Sequence, residues 1–261
     1  MSSNKETFGR TLGFVLVICL VCAALVSIAA VGLKPLQQAN KLLDKQTKIL
    51  EASGLLATLG TSPDSKSIVG TYNKRVEAKM IDLKTGAIIE GDVNTFDERS
   101  DSRDSAKSTK PANDIAGLSR RADRAVVYLV KTEQGQLDTI VLPIVGSGLW
   151  DLMYGFVGLA PDLNTVKSVV YSDLKETPGL GAEVLNPKWK ALWPGKKMYN
   201  EQGEPAIQLV KGGAKKGDVH GVDALSGATL TSNGVTNTLR FWLGTEGYGP
   251  FITKFRNGGL N

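Results

Sequence analysis

From Thr11 to Leu33 the chain carries no charged residue and is dominated by Leu, Val, Ile, Ala and Phe. At about 1.5 Å per residue such a run crosses a hydrocarbon core of about 30 Å, which predicts one transmembrane helix over 11–33 behind a short tail, 1–10. A secretory signal peptide is the competing reading, because Lys5 and Arg10 precede the run and Ala29 and Ala30 stand near its end. The run is longer than a signal core, and this favours a retained anchor. Beyond Pro35, the residues Leu36, Ala39, Leu43 and Leu50 recur at helical spacing and Gly54 stands where a C-terminal cap would. They predict a juxtamembrane helix over 34–56 that lifts the remainder off the bilayer, its stripe serving as core or as a surface for a neighbouring subunit. Lys34, Lys41, Lys45 and Lys48 follow the anchor, so the local charge alone does not place the remainder outside the cell.

Residues 57–261 read as a single soluble domain. Ile81–Ile89 and Ala125–Val145 alternate in polarity and break at Lys84-Thr-Gly86 and at Gln134-Gly135, as β-hairpins do. The stretch 164–174 is compatible with a strand. Ser232 to Leu243 carries Val235, Leu239 and Trp242 at helical spacing. Between the hairpins, 97–124 is crowded with Asp, Ser, Arg and Lys and reads as an exposed loop. The expected class is α+β, a transmembrane helix followed by β-hairpins with flanking helices.

Composition narrows the chemistry. The net charge of +5 is scattered among acids rather than gathered in a stripe, so nucleic acid is not expected as a partner. Cys19 and Cys22 both lie in the apolar run, which leaves the soluble part no disulfide and no thiolate metal site. With His220 as the single histidine, hydrolase triads and histidine metal clusters lack material. No Gly-rich phosphate loop or dinucleotide fingerprint stands between a strand and a helix.

The segment Asp223-Ala-Leu-Ser-Gly-Ala-Thr-Leu-Thr231 places several hydroxyls at a helix start. Unpaired N–H groups and the positive end of the helix dipole favour a phosphate there, and Gly227 and Ala228 let a ligand approach the backbone. A Ser/Thr-rich capping turn that binds nothing is the plainer reading of the same residues. Likewise, Thr177-Pro178-Gly179 suits an ordinary turn, and Trp150 suits core packing.

Resemblance adds to this. Ser226-Gly-Ala-Thr-Leu-Thr231, with Asp223 upstream, is similar to the flavinylation motif of FMN-binding domains, in which the last Thr is joined to FMN by a phosphoester bond. Gly146-Ser-Gly-Leu-Trp150, Met153-Tyr-Gly-Phe156, Glu176-Thr-Pro-Gly-Leu-Gly181 and Gly247-Tyr-Gly-Pro-Phe251 extend the likeness from end to end. Together they resemble the C subunits of bacterial sodium-translocating NADH:quinone oxidoreductases.

The resemblance implies covalent FMN on Thr231, delivered from FAD by a separate flavin transferase that uses a divalent metal. It implies cofactor contacts from Ser226, Gly227, Ala228, Thr229, Glu176, Thr177, Gly179, Leu180, Leu149 and Trp150, and a share for Asp223 in transferase recognition or in fixing the turn. No catalytic residue and no metal ligand is implied in this chain. The protein would relay electrons from NADH toward quinone among the other subunits of a membrane redox complex, anchored in the inner membrane with its domain on the periplasmic side. The flavin subunit of an Rnf-type electron-transport complex and a flavin-free membrane-tethered scaffold stay open as alternatives.

Overall fold

The computed structural model describes residues 8–258. Helix α1 (Phe8–Ser53) is a single element of 46 residues that contains Pro35. The two helices expected over 11–33 and 34–56 are therefore one. The missing proline N–H costs one rung of the ladder, and the Leu, Ala, Gln and Lys residues on both sides are strong helix formers that restore it within a turn. Gly54, with φ of 82°, follows the last helical residue and takes the left-handed conformation that ends the helix. Phe8 to Leu42 are exposed, and α1 is long and apolar enough to cross a membrane, with a mean hydropathy of 3.1 over its best window.

The chain divides into two compact units between Asp44 and Lys45. In the second, a 3-10 turn (Leu56–Leu59) leads to α2 (Ser65–Arg75), whose Asp64 cap accepts from Ser67 N at 2.8 Å. Then come β1 (Val76–Asp82), β2 (Ile88–Ile89), α3 (Glu98–Arg103), β3 (Ser108–Thr109), β4 (Arg121–Ala122), β5 (Arg124–Lys131), β6 (Leu137–Ser147), β7 (Leu152–Leu159) and β8 (Val166–Asp173). A 3-10 turn (Gly181–Leu185), α4 (Pro187–Lys190), β9 (Gln208–Val210), β10 (Gly221–Asp223), α5 (Thr229–Leu243) and α6 (Gly249–Arg256) complete the order.

The main sheet has six strands in the order β2-β1-β5-β6-β7-β8, every pairing antiparallel. Both expected hairpins are present, β1–β2 turning at Gly86 and β5–β6 at Gly135, each glycine at positive φ. Both faces of the central strands are buried. Val127, Leu129, Ile140, Leu142 and Ile144 point to one face and join the main core with Val235, Leu239 and Trp242 of α5 and Phe251 and Ile252 of α6. Tyr128 and Val141, partners across β5 and β6, are buried on the other. There Lys45 lies over the Tyr128 ring, 5.6 Å from its centroid, and the carbonyl of Ala52 sits so close to Gly158 that no Cβ fits between them. Ile49, Leu50 and Ala52, at the end of α1, are thus core residues of the domain.

Segment 97–124 is largely exposed, as expected, but it is not without structure: it forms the short elements α3, β3 and β4, and several of its charges pair within the domain. Buried Asp101 pairs with Arg124 at 2.8 Å, and Arg99 reaches Asp173 at 2.6 Å while its guanidinium lies 3.6 Å from the Tyr154 ring centroid. Arg121, also buried, donates to the carbonyl of Glu246. Ala116 O accepts from Ser147 N at 2.8 Å, which ties the segment to the end of β6. A run of small and charged residues lacks the apolar periodicity that marks packing, but ion pairs and backbone hydrogen bonds tie it to the domain.

Candidate functional site

The end of β6, the turn after β8 and the start of α5 meet at one place. Glycines permit the approach. A Cβ on Gly146 would strike Thr238 of α5, and one on Gly234 of α5 would strike the carbonyl of Ser147, so strand and helix touch through bare backbone. Trp242 Nε1 fastens the far end of α5 to Val145 O at 2.7 Å.

At the near end stands Thr231, in the first turn of α5 and only 1% exposed. Its hydroxyl donates to Glu176 Oε2 at 2.5 Å. Glu176 is itself 7% exposed, and its other oxygen accepts from Leu149 N at 2.8 Å and from Trp150 N at 3.2 Å. One carboxylate therefore holds the turn after β6 and the start of α5 together. Gly148 and Gly181 flank it, and a Cβ on either would collide with a Glu176 oxygen; the one on Gly181 would also crowd Thr231 Oγ1.

The Thr177–Leu180 turn closes on itself through Leu180 N to Thr177 O at 3.1 Å, with Gly179 at φ of 75°, the arrangement a type II turn requires at its third position. Thr177 Oγ1 also accepts from Trp150 Nε1 at 3.2 Å. Leu180 reaches over to Gly227, which has φ of 71° and where a Cβ would lie 2.9 Å from Leu180 Cδ2. Leu149, Trp150, Leu180 and Leu230 are all exposed around the buried hydroxyl. Trp150 is 68% exposed, whereas Trp189, Trp193 and Trp242 are buried.

The helix starts at Thr229, three residues ahead of the expected Ser232, with Ala228 as a cap that offers no side-chain oxygen. The N–H groups of Thr229, Leu230 and Thr231 have no protein acceptor among the described residues, which suits them to an anion. The exposed hydroxyls of Ser226 and Thr229 likewise have no partner among the described residues. Asp223 stands apart: its carboxylate accepts from Ala214 N at 2.8 Å, and its carbonyl accepts from Trp189 Nε1 at 2.9 Å. The sequence pattern does not single out Ser232, yet its hydroxyl accepts from Leu225 N at 3.0 Å and closes the turn before α5. The strand β7 is likewise absent from the sequence-based expectations. Met153-Tyr-Gly-Phe156 stands out as a motif, and Gly155 and Gly158 mask the strand pattern around it.

These residues fit a flavin phosphate and its ring: unpaired amides and a hydroxyl for the one, exposed planar and branched apolar side chains for the other. Residues 148–244 match the family model described as the FMN-binding domain. Over 263 residues the chain is 48% identical to the C subunit of the Na(+)-translocating NADH-quinone reductase of Vibrio alginolyticus, covering 100% of both chains. The C subunit of the Yersinia pestis reductase is 47% identical, with 98% of this chain and 96% of the relative covered. This chain belongs to that family of C subunits. Among solved structures, the Shewanella oneidensis NqrC crystal structure superposes with a TM-score of 0.78 at 38% identity, covering 85% of this chain and 99% of that one. The C subunit of the Parabacteroides distasonis reductase gives 0.66 at 28% identity, with 85% and 97% covered. The likeness to these C subunits thus extends from sequence to the α+β domain.

Proposed function

We propose that this chain is the membrane-anchored flavoprotein subunit of a sodium-translocating NADH-quinone reductase, carrying FMN bonded through its phosphate to Thr231 Oγ1 and relaying electrons between other subunits. The observation that carries the reading is the place of Thr231, a hydroxyl in the first turn of a helix whose neighbouring amides are unpaired. The name carried by the curated relatives favours this complex over an Rnf-type one.

Bound FMN supplies one- and two-electron redox chemistry. The chain's own residues hold and orient it. The amides of Thr229, Leu230 and Thr231 would hold the phosphate, with help from the exposed Ser226 and Thr229 hydroxyls. Leu149, Trp150 and Leu180 offer apolar surface to the ring, while Thr177 sets the indole of Trp150 by its hydrogen bond. Gly179 and Gly227 supply the left-handed backbone that brings the two turns together. The covalent bond serves retention, so that the cofactor stays whichever redox state weakens its other contacts.

A flavin transferase would load the protein, and the domain would face the periplasm with α1 in the lipid bilayer. A reporter fused after Asn261 that works only in the cytoplasm overturns that placement. Intact-mass and peptide mass spectrometry on protein from cells holding a flavin transferase tests the attachment: an FMN-sized addition on Thr231, absent from Thr231→Ala, is expected. An unmodified wild-type mass despite an active transferase overturns the reading and leaves the scaffold.

A further inference from the structure

We infer that this chain supplies the general base for its own flavinylation, with Glu176 taking the Thr231 proton as Oγ1 is joined to the flavin phosphate. The inference rests on the covalent attachment proposed above. It would make the chain more than a passive acceptor.

Four hydroxyls crowd the start of α5, and their surroundings differ. Ser226 and Thr229 are exposed and have no partner among the described residues, while the Ser232 oxygen is occupied by the Leu225 amide. Thr231 alone of the four donates to a carboxylate, at 2.5 Å. A base must lie within hydrogen-bond reach of the proton it removes, and this one does. Its direction is fixed as well, since the Leu149 and Trp150 amides hold Oε1 and leave Oε2 aimed at the hydroxyl. All the hydrogen bonds described for Glu176 come from neutral donors, and no salt bridge to it is formed among the described residues. The missing side chains of Gly148 and Gly181 make the space in which the pair fits.

The step balances with FAD as co-reactant. The Thr231 O–H bond breaks and its proton passes to Glu176 Oε2. Oγ1 bonds to the FMN-side phosphorus, the pyrophosphate P–O bond breaks, and AMP leaves with that electron pair. A carboxylate and a neutral hydroxyl become a neutral acid and a phosphodiester anion. Protonation of Glu176 thereby spares the new phosphate a like-charged neighbour, at a helix end that favours one anion. Because Thr231 is 1% exposed, its hydroxyl has to become accessible before FAD reaches it.

The test compares flavinylation rates of full-length wild type, Glu176→Gln and Glu176→Asp with purified transferase, FAD and Mg²⁺, read by intact mass, each variant at a temperature where near-UV circular dichroism shows it folded. Gln keeps the shape and an acceptor for the two amides but is no base; Asp keeps the base one methylene short. A rate for Glu176→Gln about 100-fold or more below wild type, with Glu176→Asp between them, is expected. Glu176→Gln within threefold of wild type, or faster than Glu176→Asp, overturns the inference and assigns the base to the transferase. Failure of the wild type itself to gain mass overturns instead the covalent attachment on which the inference rests.

Discussion

The indole N–H of Trp150 donates to the hydroxyl of Thr177 at 3.2 Å, although Trp150 is the one exposed tryptophan of four. An exposed aromatic held in a fixed orientation contributes little to folding and is placed for something outside the fold. Trp150→Ala is expected to change unfolding stability by no more than about 0.5 kcal/mol in the flavin-free protein. In flavinylated protein the same substitution should shift the visible flavin absorption and raise its fluorescence by removing an adjacent quencher. Unchanged flavin spectra would show that the indole does not meet the ring.

Gly181 tests the crowding around the acceptor. With Glu176 and Thr231 both against it, Gly181→Ala must displace one of them, and a loss of about 1–3 kcal/mol in urea unfolding is expected. A lower flavin load by mass should accompany it. Gly179→Ala differs in mechanism, since nothing lies within reach of its Cβ and the cost comes from φ of 75° alone, about 1 kcal/mol. Equal effects from the two would contradict the steric account.

The end of α1 belongs to the domain core, so Leu50→Ala should cost about 2–5 kcal/mol. Tryptophan fluorescence during urea unfolding of the detergent-solubilised chain measures this directly, because three of the four tryptophans are buried. A loss below about 1 kcal/mol would mean that Ile49, Leu50 and Ala52 are not core.

Glu98 lies in the polar segment that the domain absorbed. Desolvation raises its carboxyl to about 7, against the attraction of Arg99 and Lys45, and Asp97 raises it further. The folded state therefore binds the proton more tightly than the unfolded one, and stability from this group is present below about pH 4.5 and lost as pH rises toward 7. Glu98→Gln should remove that slope. Its melting temperature is expected to exceed wild type at pH 8 and to match it near pH 4.5. Parallel melting curves across that range would show that the carboxyl is solvated.

Much of the architecture was legible in the sequence wherever one short-range rule decided it. The β1–β2 and β5–β6 hairpins followed from polarity breaks at glycines, α5 from its periodic apolar residues, and the place of Ser226 to Thr231 at a helix start from its run of hydroxyls. What stayed hidden depends on distant partners. Burial of β5 and β6 on both faces arises because the end of α1 returns onto the sheet, opposite α5, and no local pattern records that. The order in 97–124 comes from arginines meeting Asp173, Glu246 and Asp101. Glu176 was readable as a loop residue beside glycines. Its bond to Thr231 was not, since nothing in either neighbourhood names the other.

Glu176 and Thr231 are separated by 55 positions. Their contact exists only after the last third of the chain has docked on strands made much earlier. If that contact readies the hydroxyl, then loading is a proofreading step: nascent or misfolded chains present an inert threonine, and the yellow colour of the product certifies a completed fold.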